Sequence, residues 1–588
     1  MTQGVGHDAG SGEEPLYLGR DQFSERGACM GTKMKESFYG QRRGSAPRAT
    51  NISSSPPGET LGFRGIAGAM ATISLAGLLG CATPTLEDRR ELIREDPRKQ
   101  ARFQEGPPRR VMMISVAGLQ ASDYLDPFGH AAADGALVHM PSLARLAREG
   151  ATGLAAMPPS PGAIRTSHAT IVTGLSPARH GIIADSTLDD DGGRAIPFMD
   201  HRSFQGTPLW DAALGRGVVS LGWPTTSGAR IERILPERNV AIADDWLSQV
   251  RGGASPIVWQ KLEAMALAER EIISRENKER NPASWPNAEE KDSAIVEIAC
   301  QLIAAERDAG LWLIRLDQTL PLFYGAGPGT VEADDALARV DTEIVRLQEC
   351  LSVNNKLSDT AIFVVGDVAF HPVHTTVSPN VILVRAGLVG RDPRSDTGVR
   401  SWLALARSNG RSAYIYARDA RNALDARKVL MAEAERTGAF EVISAKRLAE
   451  SGGDPQAWFA LVAKPGVVFG DELVGPASTP SILRGTAGVL RNGETKDAEA
   501  SVGFVAWGRG IRNGVRLPRV ELIDVAPTIA SLLGLRLDDE VEGEAILGIL
   551  RSATKPPPPG PKRLGGDRSV DQRLRDLKKG RSLGNEAR

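Results

Sequence analysis

The chain has 588 residues, 41% of them hydrophobic and 24% charged, which is ordinary for a soluble globular protein and leaves room for one large domain with a smaller companion. Lys and Arg number 71 against 72 Asp and Glu, so no global field draws the protein to nucleic acid or anionic lipid. Cys29, Cys81, Cys300 and Cys350 are too few and too scattered for a disulfide framework or a CxxC-type zinc site; Cys300 and Cys350, in helix-like segments, read as small buried residues.

Residues 1–60 are polar, rich in Gly, Ser and Arg and without apolar periodicity, and read as a disordered or mis-annotated leader. The pattern then changes. Over 61–81, Arg64 precedes the apolar run GIAGAMATISLAGLLG and Cys81, too short to span a bilayer. A short buried helix is one reading. The run also resembles a bacterial lipoprotein signal ending in the lipobox Leu78-Leu79-Gly80-Cys81. That resemblance implies lipidation at Cys81, a membrane held through the modified N-terminus, and a start nearer Leu61 than Met1. Ala82 after the cysteine favours the outer membrane, facing the periplasm. The charged stretch 82–108 is then a tether.

From Arg109 the chain alternates apolar β-type runs with helical patterns. That alternation predicts an α/β fold, a mainly parallel sheet sandwiched by helices, over 109–550. RRVMMISVAGL, LWLIRL and TAIFVVGD read as buried strands, and MPSLARLAREG, EEKDSAIVEIACQLIAAERDAG and VEADDALARVDTEIVRLQECL as helices. Residues 395–470 carry a second strand and helix pattern, predicted as an inserted α+β subdomain. The end, 551–588, opens on four prolines and is basic, and reads as a disordered tail. The acidic run Leu188-Asp189-Asp190-Asp191-Gly192 lacks the alternating ligand pattern of a calcium loop and reads as solvated.

Ordered motifs place the 109–550 region in a family. MPSLARLAREGA, PPSPGAIRTSHATIVTGLSPARHGIIADS, LDQTLPLFYGAGPG, FVVGDVAFHPVH and FVAWGRGIRNGVRLPRVELIDVAPTIASLLG are similar to the nucleotide pyrophosphatase/phosphodiesterases of the alkaline phosphatase superfamily. The resemblance implies the alkaline-phosphatase-like core and hydrolysis of phosphoric esters at two divalent ions, usually zinc, which activate an attacking oxygen.

Residue by residue, most of that machinery is missing. The first metal-binding Asp is replaced within Ala117-Gly118, and the position of the Thr or Ser nucleophile holds Ile164. The phosphate-holding Asn is Asp185, and of the Asp and His ligands beyond it only Asp317 and Asp367 remain, the others being Pro321, Val368 and Ala487. A methyl group or a branched alkane ligates nothing.

The expectation is therefore a site with no catalytic residue, Asp317 and Asp367 as vestigial metal ligands, and no cofactor. The chain then acts by binding a partner protein or a ligand. The rival reading is an active hydrolase with a rearranged site of Asp317, Asp367, His371, His374 and a shifted hydroxyl such as Thr166, holding Zn²⁺, Mg²⁺ or Ca²⁺. His168 and His180 match positions that shape the family's loop and turn, and are expected to be structural.

Overall fold

The computed structural model describes residues 106–126, 128–130, 138–188, 195–237, 246–275, 288–305, 309–394, 398–488, 500–538 and 540–552. All of them belong to the unit Thr83–Arg588. The leader, the Cys81 lipobox, nearly all of the tether, the run Asp189–Gly192 and nearly all of the tail lie outside the described residues.

The strands that build the architecture begin with β1 (Arg110–Val116), β2 (Ala151–Gly153), β3 (Val218–Leu221), β4 (Arg233–Leu235), β5 (Leu311–Leu316) and β6 (Thr360–Gly366). They continue with β7 (Phe370–Val377), β8 (Ala404–Asn409), β9 (Ser412–Ala417), β10 (Phe440–Ile443), β11 (Phe459–Ala463), β12 (Gly485–Ala487), β13 (Phe504–Gly508) and β14 (Val515–Leu517). The helices that matter are α1 (Pro141–Glu149), α2 (Ile164–Thr173), α3 (Ala288–Ala305), α4 (Leu320–Gly325), α5 (Val331–Val353), α6 (Ala420–Thr437) and α7 (Val525–Leu533).

Eight strands form the central sheet in the order β14-β2-β13-β6-β1-β5-β3-β4. Among the described residues only β13 runs antiparallel to its neighbours in this sheet. β1 is buried along its whole length because its side chains alternate between two apolar layers. Met112, Ile114 and Val116 pack with Leu143 and Leu146 of α1, Ile295 and Leu302 of α3, and Ile344 and Leu347 of α5. Val111 and Met113 face the other way, onto Ile171 and Val172 of α2 and Ile529 and Leu532 of α7.

A second, antiparallel sheet has the order β8-β9-β11-β10. One face packs Leu405, Ile415 and Leu461 against Leu430 of α6. The other sets Tyr414, Ala460 and Val462 against Ile183 and Ala184, and the Tyr414 hydroxyl donates to the Ile183 carbonyl at 3.0 Å. This face thereby seats the loop that carries Asp185.

One expectation from the sequence is overturned here. Cys300 on α3 and Cys350 on α5 are not separate buried thiols but a disulfide. Their separation of 50 residues conceals the pairing, which arises because the sheet lays the two helices side by side.

Candidate functional site

The register of three parallel strands sets the site. Val116 pairs with Leu316 of β5 and Gly366 of β6, so the next residues, Ala117, Asp317 and Asp367, leave the sheet at one level. They do so at its C-terminal edge, where open α/β sheets place ligands. The sheet thus brings together the two carboxylates singled out in the sequence and Ala117, which stands where the family pattern has an Asp.

Asp317 is held by two cations. The Lys291 ammonium donates to both carboxylate oxygens at 2.6 and 2.8 Å, and an Arg315 guanidinium nitrogen lies 3.2 Å from one of them. The Lys291, Arg315 and Asp317 side chains are only 12%, 7% and 11% exposed, so water screens these pairs little. The turn itself is fixed by a third group. The fully buried Asp292 accepts hydrogen bonds from the backbone N–H of Asp317 at 3.0 Å and of Gln318 at 2.9 Å. Burial, and then the Asp317 charge, push the Asp292 carboxyl up to about 7, against the pull of Lys291 and the two amides.

Asp367 is held differently. One oxygen accepts from the backbone N–H of Gly118 at 2.9 Å and of Val368 at 2.7 Å, while its Oδ2 has no hydrogen-bond partner among the described residues. Burial raises its pKa to about 6, with Arg315 and the amides pulling the other way. Gly118 must be glycine to donate from this position. Its φ is +74°, and a Cβ there would sit 2.4 Å from the Phe323 ring.

Arg315 is the electrostatic centre. It lies on a buried strand, where its burial works against its charge, yet Asp317, Asp367, Glu237 and Asp185 together hold its pKa above the ordinary arginine value. Asp185 in turn accepts from the Arg165 backbone N–H at 2.8 Å, in the first turn of α2, where free amides favour a carboxylate. The Arg165 guanidinium grips Glu237 with two bonds of 3.1 and 2.9 Å.

Of the other positions that depart from the family pattern, Ile164, Val368 and Ala487 are apolar and packed. Val368 and Ala487 join Phe323 and Phe370 in the core, with Ile164 against them, and the Phe323 and Phe370 rings stack 5.0 Å apart. Pro321 faces solvent on α4. Beside this cluster a small pocket is lined by Pro158, Pro159, Gly162, Val368, Ala369 and His371, among others.

The histidines divide as their elements dictate. The His168 Nδ1 lies 2.7 Å from the Ile164 carbonyl and its Nε2 2.8 Å from the Ser115 hydroxyl. A carbonyl can only accept, so Nδ1 carries the proton and Ser115 donates to Nε2. Burial, and then Arg315, keep this ring neutral. The Ile182 N–H donates to His180 Nδ1, so Nε2 donates to Thr170. His371 and His374 lie on β7, whose pairing is irregular between Val373 and Thr375. His371 lines the pocket and is held down to about 4, by burial and then Arg411, while His374 is exposed beside Thr375. Thr166 is fully buried.

The two divalent ions that the family resemblance implies would need converging carboxylates and imidazoles. The residues present do not fit them: Asp317 already carries two cations, one oxygen of Asp367 is taken by two backbone amides, and His371 is buried at the pocket while His374 is exposed. Among the described residues no group of three or more His, Cys, Asp or Glu is placed to hold an ion.

Sequence reasoning missed Lys291, Asp292, Arg315, Glu237 and Arg165. For Arg315 a signal was available, since a charge inside the apolar strand LWLIRL is rare unless it is paired. Lys291 and Asp292 sit among other charged residues at the start of α3 and carry no such mark.

Comparison with known proteins bears on the family and the fold. The family described as type I phosphodiesterase / nucleotide pyrophosphatase matches residues 111–471. No curated protein matches the sequence significantly. Among solved structures, human ectonucleotide pyrophosphatase / phosphodiesterase 5 is similar with a TM-score of 0.52 at 14% identity, covering 75% of this chain and 100% of that one. The murine protein of that name gives 0.51 at 14% with the same coverage. Its inactive variant in complex with AMP gives 0.50 at 15%, covering 73% of this chain and 95% of that one. At these identities the likeness speaks to the fold.

Proposed function

The chain belongs to the type I phosphodiesterase / nucleotide pyrophosphatase family, and from that premise we propose that it is a catalytically impaired member that acts by binding a protein partner or a ligand. One observation carries the reading. At the sheet edge where a hydrolase of this family needs metal charge, the positive charge is supplied from within the chain, by Lys291 and Arg315 on Asp317. An internal cation neutralises a carboxylate without offering an open coordination position, and an open position is what metal-assisted hydrolysis requires. Ile164 at the nucleophile position, packed against an apolar cluster, supports the same conclusion.

The test is an assay of the purified protein on bis(p-nitrophenyl) phosphate, p-nitrophenyl phosphate and p-nitrophenyl sulfate with added Zn²⁺, Mn²⁺ or Ca²⁺. Rates equal to those of buffer with metal are expected. Metal-dependent turnover that disappears in Asp367→Ala would overturn the reading and favour the rearranged hydrolase.

The location proposed is that of a lipoprotein anchored through Cys81, in the outer membrane and facing the periplasm, on the lipobox pattern and Ala82. The Cys300–Cys350 disulfide supports an oxidising compartment, because such bonds persist there and are reduced in most cytosols. Cys81→Ser should move the protein from the membrane to the soluble fraction. An unlipidated chain beginning at Met1 in the cytosol would contradict the assignment.

A further inference from the structure

The disulfide and the Asp317 turn share one helix. α3 carries Lys291 and Asp292 in its first turns and Cys300 farther along, nine residues or roughly 13 Å down the axis. Its first end holds the turn after β5 through four contacts. Lys291 donates to both Asp317 oxygens, and Asp292 accepts the backbone N–H of Asp317 and of Gln318. Its other end is bonded covalently to Cys350 of α5.

α5 is a firm anchor. Its Asp341 accepts the backbone N–H of Ser142 and Leu143 at 2.9 Å each, capping α1. Between the helices, Arg346 bonds Ser293 and Glu297 at 3.0 Å each, and Ile295 and Leu302 share a core with Ile344 and Leu347. The noncovalent contacts can slip by sliding or rotation of α3, whereas the disulfide resists both. A rotation of α3 would move Asp292 away from both amides at once, because the two bonds end on the one carboxylate.

We propose that the Cys300–Cys350 disulfide is a redox-sensitive clamp on the Asp317 turn. Closed, it keeps Lys291 and Asp292 seated. Opened, it loosens α3 and releases the turn. Opening requires a dithiol reductant: one thiolate attacks a protein sulfur to form a mixed disulfide and displaces the other as a thiolate. The second thiol of the reductant, as thiolate, then attacks its own mixed-disulfide sulfur, leaving two protein thiols and one oxidised cyclic reductant. Two electrons pass from reductant to protein.

The experiment compares hydrogen exchange in the full chain before and after dithiothreitol, with thiols mapped by alkylation and mass spectrometry. Oxidised protein should show Cys300 and Cys350 protected from alkylation, and reduction should speed exchange of the Asp317 and Gln318 amides at least ten-fold while β1 amides stay protected. Cys300→Ser/Cys350→Ser should reproduce the reduced pattern, and Asp292→Ala should speed the same two amides with the disulfide intact. The proposal is overturned if both cysteines alkylate in the oxidised protein, or if verified reduction leaves the two amides unchanged. It is equally overturned if reduction deprotects β1 to the same degree, which would make the bond a global staple, or if Asp292→Ala leaves the two amides unmoved.

Discussion

Asp317 and Asp367 leave the two parallel strands that flank β1, at the same level, yet the fold stabilises them by opposite means. Asp317 rests on two side-chain cations; Asp367 rests on two backbone amides, with its second oxygen unpartnered among the described residues. The difference teaches that one sheet edge can settle two equivalent buried carboxylates in unlike ways. A buried carboxylate must be neutralised or hydrogen-bonded, and here one is met by side-chain charge while the other relies on amides that the strand-to-loop turns supply in any case.

The contrast predicts unequal costs. Arg315→Met should be the most damaging change, because one nearly buried guanidinium faces Asp317, Asp367, Glu237 and Asp185. Its removal leaves those carboxylates with less compensation, at about 3–5 kcal/mol. Urea unfolding would measure it. A loss below about 1 kcal/mol would show that the cluster is not organised around Arg315.

Asp317→Asn comes next, at about 2–3 kcal/mol by the same measurement. It is the smaller loss because Asp292 still lies beside Lys291, and Asp367, Glu237 and Asp185 still surround Arg315. The side-chain amide keeps the shape and one acceptor but not the charge. An effect equal to that of Asp367→Asn would erase the distinction between the half-sites.

The sequence made the backbone of this comparison legible and hid its energetics. The strands RRVMMISV, LWLIRL and TAIFVVG announce themselves as continuous apolar runs, and the motifs around Ala117, Ile164 and Asp367 locate the sheet edge, because strand period and turn position are local properties. Which cation reaches Asp317 is not local. Lys291 is 26 residues away on a helix whose docking depends on the whole sheet, and Glu237 reaches Arg165 across 72 residues. The same reasoning explains why Cys300 and Cys350 looked like separate buried thiols. Spacing reads pairs along a chain, whereas α3 and α5 meet only after the sheet has ordered them.

The smallest expected effect is also the most pH-dependent. In Asp367→Asn the side-chain carbonyl oxygen can still accept from Gly118 and Val368, so the two amide bonds survive. What disappears is a buried charge, together with its attraction to Arg315, and these largely offset, leaving a change within about 1 kcal/mol near pH 6. The pH dependence has a definite sign. The folded-state pKa of Asp367 is raised to about 6, burial being the main cause, above the value near 3.9 of an unfolded chain. A carboxyl with a raised folded pKa contributes stability that is fully present below the unfolded value and is lost as pH rises through the folded one. Wild type should therefore lose stability relative to Asp367→Asn between pH 4 and pH 7, by on the order of 1–3 kcal/mol. Paired urea titrations at several pH values isolate this term, since every other group titrates in both proteins. A difference that stays flat across the range, or that favours wild type as pH rises, would mean that Arg315 holds Asp367 ionised well below pH 6, and that the two half-sites are both governed by charge.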